Sequence, residues 1–182
     1  MSDAKKDGGA AHADAISLLT ADHQKVRQLL QQFTELQNDD EQLDLKLELV
    51  EQICFELTVH ALAEEELLYP AVRAALGDDD LVDEAEADHA GLKDLVSQLE
   101  EMEADDAELD ATVAVLLEQL ERHIALEEEE MFARVKNAQL DIVALGRQIR
   151  DRKMEIEADF NGAPAPVRMS GGAEAPRDQD KP

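Results

Sequence analysis

The sequence predicts an all-α protein, an antiparallel up-down-up-down four-helix bundle with a short additional C-terminal helix. Three observations lead there. Apolar residues make up 44% of the chain, mostly Leu, Ala and Val, and aromatic residues only 3%, so few stretches have the β-branched or aromatic character of strands. Four long segments place apolar residues at alternating steps of three and four, the seam of a bundle helix. The connections between them are short and carry Asp, Asn or Gly, which sets neighbouring helices antiparallel.

A chain of 182 residues is long enough for one domain with a core, expected over residues 14–159, with disordered tails at 1–13 and 160–182. The first helix begins at Asp14 and shows Ile16, Leu19, His23, Val26, Leu30 and Phe33 on one stripe. Asn38-Asp39-Asp40 ends it and offers caps for the second helix, whose stripe is Leu43, Leu47, Val50, Cys54, Leu57, His60, Glu64 and Ala71, with Leu67 or Leu68. Pro70 should kink that helix or loosen its last turn, Gly77 should stop it, and Asp78-Asp79-Asp80 favours the next N-terminus. Val82, Ala85, His89, Leu92, Val96 and Leu99 mark the third helix. Asp105-Asp106 introduces the fourth, with Leu109, Val113, Leu116, Leu120, His123, Glu127 and Met131. After a break at Asn137, Ile142, Leu145, Ile149 and Ile156 trace a shorter amphipathic helix, weakened by Gly146 and expected to pack on the bundle. His12 falls in the N-terminal tail and is not counted as a ligand.

The net charge of −27 repels nucleic acid phosphates and anionic membranes, so neither is an expected partner; the sequence does not identify a protein partner. No window approaches the ~20 apolar residues of a membrane span, and the first residues lack the apolar core of a signal peptide. The single cysteine, Cys54, sits on an apolar stripe, where a buried, inert thiol is expected. A cytoplasmic protein is the expectation.

Two pairs carry the chemistry. His60 and Glu64 lie one helical turn apart on the same face, and His123 and Glu127 repeat the arrangement. Ala21-Asp22-His23 likewise recurs as Ala87-Asp88-His89, so the chain reads as two similar hairpins related by a pseudo-twofold axis. A lone histidine on an apolar seam is more often a satisfied core residue than a ligand. Here four of them, His23, His60, His89 and His123, fall on the seams of four helices, joined by two glutamates with no cation beside them. Burying an isolated carboxylate is costly, and a metal ion removes that cost. Six such donors exceed the needs of one tetrahedral zinc. They suit two first-row ions sharing the carboxylates; mixed imidazole and carboxylate ligation favours iron, with zinc or manganese as alternatives. Glu65, Glu66, Glu128, Glu129 and Glu130 form a solvated face from which one or two could bond a ligating imidazole.

With these residues assembled, the chain resembles the hemerythrin-like family, the HHE cation-binding domain. The matching elements are Asp22-His23, His60-x-x-x-Glu64 with Leu68-Tyr69-Pro70, Asp88-His89, His123-x-x-x-Glu127, and Leu145-Gly146 with the basic segment after it. The resemblance implies a non-haem di-iron centre, two irons per chain, open to O2, H2O2 or NO, in sensing, scavenging or iron handling. Catalase-like peroxide disproportionation or an oxidase activity is the enzymatic alternative; a zinc-bound or metal-free interaction bundle is the structural one. No catalytic residue is assigned. One departure stands out: oxygen-carrying hemerythrins have a further histidine one turn after the third-helix histidine, and this chain has Lys93 there. That implies an open position on one ion, which favours turnover over reversible O2 carriage. Lys93 is expected to snorkel to the surface, and Tyr69 to serve as packing unless the helix is distorted around it.

Overall fold

The computed structural model describes residues 13–37 and 40–162. The expectations for residues 1–12 and 163–182, His12 and Asn38-Asp39 lie outside the described residues. Within them the fold is all-helical, as the apolar spacing predicts.

Helix α1 (Ala15–Glu35) starts where the Asp14 carboxylate accepts the Ser17 N–H at 2.8 Å. A short 3₁₀ turn, Asp40–Gln42, leads into α2 (Leu43–Ala63), which runs without interruption through a π-helical turn, Glu64–Leu68, into α3 (Tyr69–Leu76). Gly77 ends this rod at φ +63°, a left-handed conformation that costs glycine least, and its N–H returns to the Arg73 carbonyl at 3.0 Å. Asp78 caps α4 (Asp79–Glu101) by accepting the Leu81 N–H. The rod α5 (Leu109–Ala125) passes through a second π turn, Leu126–Met131, into α6 (Phe132–Lys136), and α7 (Ile142–Gly162) comes last.

The fifth rod, α7, lies against α1, α2 and the first π turn, so it covers one hairpin and leaves the other without a counterpart. Gly146 is what lets it approach. A Cβ there would stand 2.7 Å from the Ala15 nitrogen and 2.8 Å from the Ala13 carbonyl oxygen, backbone atoms that cannot step aside. Gly146 is therefore a contact residue as well as a weak helix former. Gly146→Ala should destabilise the fold by about 1–3 kcal/mol through overpacking, although alanine gains ~1 kcal/mol in helix propensity. Urea denaturation checks the sign, and a stabilised variant would contradict it.

The core is two apolar clusters separated by a polar layer. One cluster gathers Val26 to Phe33 of α1 with Leu49 to Leu57, Leu92 to Leu99 and Leu109 to Ile124. The other gathers Ala15 to Leu19 with Leu68, Tyr69, Val72, Leu81 to Ala85, Met131, Phe132 and Val135, closed by Leu145 and Ile149 of α7. His23, His60, Glu64, His89, His123 and Glu127 fall between these sets, each 0–3% exposed. Cys54 is buried as expected, and burial pushes its thiol up to about 12, so it is not a nucleophile at neutral pH.

Candidate metal centre

The six polar residues predicted from the sequence all converge. One set of side-chain donor atoms, from His23, His60, Glu64 and Glu127, lies within 4.8 Å of one another, and so does a second set from Glu64, His89 and His123. Glu64 belongs to both. Its Oε2 stands 3.1 Å from His60 Nε2 and 3.4 Å from His89 Nε2. Glu127 Oε2 stands 3.2 Å from His23 Nε2 and 3.5 Å from His123 Nε2. The two carboxylates thus lie between two pairs of imidazoles, which is the placement two ions sharing them would need.

The donor set fits metal on its own terms. His23 Nε2, His60 Nε2, both Glu64 oxygens and Glu127 Oε2 are buried and have no hydrogen-bond partner. Orphaned polar atoms this deep are rare in native proteins, because each gives up water without replacement. Here they share one locus between two apolar clusters, and a cation satisfies them together.

Around this locus, outer carboxylates orient three of the four rings. Glu128 Oε1 lies 2.8 Å from His23 Nδ1, and Glu65 Oε1 lies 2.9 Å from His89 Nδ1. Asp22 Oδ2 lies 3.3 Å from His60 Nδ1. A carboxylate beside Nδ1 places the ring proton there and turns the Nε2 lone pair inward, the arrangement of metal-bound histidine. Of Glu65, Glu66, Glu128, Glu129 and Glu130, Glu65 and Glu128 are the ones that reach an imidazole; Glu66 instead pairs with Arg152 on the surface.

Tyr69 is where the structure departs from the ideal-helix expectation. Its ring is fully buried, and its hydroxyl donates to Glu127 Oε1 at 3.0 Å and stands 3.1 Å from His89 Nε2. The cause is the π turn. An ordinary helix bonds each N–H to the fourth carbonyl back, but the Tyr69 N–H reaches the Glu64 carbonyl, one residue further. The extra residue rotates the downstream helix by ~100°, which brings Tyr69 onto the ligand face. Pro70, which has no N–H to give, sits at the start of α3 and tolerates the widened turn. In the second half the Phe132 N–H reaches the Glu127 carbonyl in the same way, and Phe132 stacks on His23 with ring centroids 6.0 Å apart. The repeat therefore sets a tyrosine by one pair of imidazoles and a phenylalanine by the other.

Lys93, standing where oxygen-carrying hemerythrins have an additional histidine, does not reach the cluster. It is 49% exposed, and its Nζ lies 2.6 Å from both oxygens of Glu65, the carboxylate that holds His89. It fixes the carboxylate that holds His89 and is more than a surface lysine. Between α2 and α4, a small cavity of about 20 Å³ is lined by Leu57, Ala61, Leu92 and Val96 and ends on His60, His89 and His123, with Lys93 on its wall. That volume suits one water or a molecule of its size.

In the metal-free cluster, protons stand in for positive charge. Burial alone would lower His60, but Glu64, the Asp22 hydrogen bond and Glu127 outweigh it and push the imidazole up to about 10. Burial would raise Glu64, but His60 and His89 hold it well below the carboxylate range. Burial lowers His123, against the pull of Glu127. The folded value of His60 lies above its unfolded value near 6.5, so its contribution to stability is complete below that pH and is lost as pH rises through about 10. The metal-free protein should therefore lose stability between neutral pH and pH ~10, and bound metal, which takes the proton's place, should abolish the dependence. Urea midpoints across that range test this; equal slopes with and without metal would contradict it.

Known proteins share this fold. Residues 14–135 match the family described as the hemerythrin HHE cation binding domain. The chain belongs to that family. The HHE chain is also similar in fold to a crystal structure of a hemerythrin HHE cation binding domain-containing protein from Mycobacterium kansasii. The TM-score is 0.67 at 22% identity, covering 81% of this chain and 89% of that one. Among curated proteins it is 34% identical over 120 residues to a DNA nickase of Nostoc sp.. The match takes in 66% of the HHE chain but only 33% of the nickase, so the chain spans about a third of that relative. Among the described residues no helix is long and apolar enough to cross a membrane.

Proposed function

We propose that this HHE domain carries two first-row metal ions, iron foremost, and meets O2, H2O2 or NO in sensing, scavenging or iron handling. The observation that carries the reading is the convergence of orphaned, fully buried imidazole and carboxylate atoms in two sets joined by Glu64. His23 and His60 would hold one ion, His89 and His123 the other, with Glu64 and Glu127 shared. When bound, such a pair supplies Lewis acidity and, for iron, electrons for small oxidants.

The protein's own residues then set the conditions. The apolar clusters on either side exclude water and strengthen every charge interaction in the layer. The cavity between α2 and α4 admits a ligand of water size to His60, His89 and His123. Tyr69 donates its proton to Glu127 Oε1, and burial together with Glu64 and Glu127 keeps its phenol well above the ordinary value. A cation held by His89 and His123 would favour the phenolate, and Tyr69, 3.1 Å from His89 Nε2, would then supply it with a further oxygen ligand. Iron-loaded protein should then show a visible phenolate-to-iron band that Tyr69→Phe removes while at least half of the metal is retained. An unchanged spectrum would exclude Tyr69 from the ion.

Adding H2O2 or NO to iron-loaded protein tests the wider reading, which expects a prompt spectral change and is contradicted by an inert one. Tyr69 beside the His89 and His123 imidazoles favours one second reading, peroxide disproportionation, for which oxygen evolution is the readout. Nicking of DNA is not carried over from the Nostoc relative, because a net charge of −27 opposes phosphate binding and two thirds of that protein has no counterpart here.

A further inference from the structure

The two hairpins repeat their inner ligands but not what stands behind them. His60 Nδ1 is held by Asp22, and Asp22 is held in turn by Lys153 of α7 through a 2.5 Å contact to its other oxygen. Lys153 is 16% exposed and Asp22 15%, so this pair is largely shielded from solvent. In the other hairpin, the counterpart of Asp22 is Asp88, itself 11% exposed, and it pairs with Arg122, which is 64% exposed. His123 Nδ1, the counterpart of His60 Nδ1, is buried without any hydrogen-bond partner. The difference comes from α7, which packs on α1, α2 and the first π turn. The fifth helix has no repeat, and it breaks the pseudo-symmetry at a metal ligand.

An imidazole whose outer nitrogen is anchored is fixed in tautomer and orientation and is a stronger donor. The pair His23 and His60 has both rings anchored, by Glu128 and Asp22. The pair His89 and His123 has one, by Glu65. We infer that the two metal positions differ in affinity, that the His23–His60 position fills first, and that Lys153 of α7 is the positioning residue behind it. The inference rests on the reading of the cluster as a two-metal site. The His89–His123 position, with one ring left unanchored, is then the one that exchanges its ion.

The probe is Zn²⁺, titrated into metal-free full-length protein against a chromophoric chelator. Two dissociation constants at least tenfold apart are expected. His60→Ala should remove the tighter and His123→Ala the weaker. Lys153→Met and Asp22→Asn should weaken the tighter one by ~10–100-fold and change the weaker by less than threefold, with helicity checked by circular dichroism. Asp88→Asn should change neither by more than threefold. Two equal constants, or equal effects of Asp22→Asn and Asp88→Asn, would overturn the inference while leaving the two-metal reading intact. Absence of any Zn²⁺ binding would overturn both.

Discussion

Glu64→Ala is expected to bring metal content from near two per chain to below one, the largest effect of any single substitution in the cluster. The reason is its double membership: Glu64 is the one side chain in both donor sets, and both of its oxygens are buried and orphaned. Removing it takes a ligand and a negative charge from each position at once, and leaves Glu127 alone against four imidazoles. Loss of an outer partner of a metal ligand costs ~10–100-fold in affinity, and loss of a shared inner ligand should cost more at both positions. Glu64→Gln keeps the shape and removes the charge, so it should lose metal nearly as completely with the fold intact. Glu66→Ala is the contrast, because that carboxylate lies on the surface with Arg152 and should leave metal content unchanged. Metal analysis of the three variants checks the ranking; full occupancy in Glu64→Ala would refute the shared-ligand geometry.

Stripping the metal should lower the melting temperature by ~10 °C or more. The metal-free chain buries two carboxylates and four imidazoles in a layer between two apolar clusters. An ion that binds only the folded state stabilises it by ~4 kcal/mol when present at a thousandfold its Kd. At this chain length each kcal/mol moves the midpoint by ~2–4 °C. Thermal melts before and after chelation, and again after metal re-addition, measure the shift. The effect should vanish in Glu64→Gln. Equal midpoints with and without metal would mean that the polar layer is satisfied without an ion.

The bundle and the convergence of the six buried donors are both legible in the chain because helical periodicity carries them. A residue on the apolar seam faces the core whatever the loops do, so six polar residues on seams are enough to locate the centre. The repeat of His60 and Glu64 at His123 and Glu127 then brings the halves together. The features that escape the sequence depend on departures from the ideal helix or on contacts between distant elements. Tyr69 lies off the ligand face at regular spacing, and only the π turn after Glu64 re-aims it. Pro70 hints at a distortion there, but the second π turn, beside Glu127, has no proline to announce it. Lys153 lies in the basic segment after Gly146, but nothing there marks its partner, because Asp22 is reached only once α7 has docked. Gly146 stands out in the sequence only as a weak helix former, whereas its role is a backbone contact with the start of α1.

The central claim is that the buried layer exists to hold two ions. Metal analysis of the purified full-length chain, beside His60→Ala/His123→Ala, tests it most directly. Close to two first-row metal ions per folded chain are expected, and almost none in the double variant. A well-folded chain without metal, or a double variant that retains it in full, would contradict the claim.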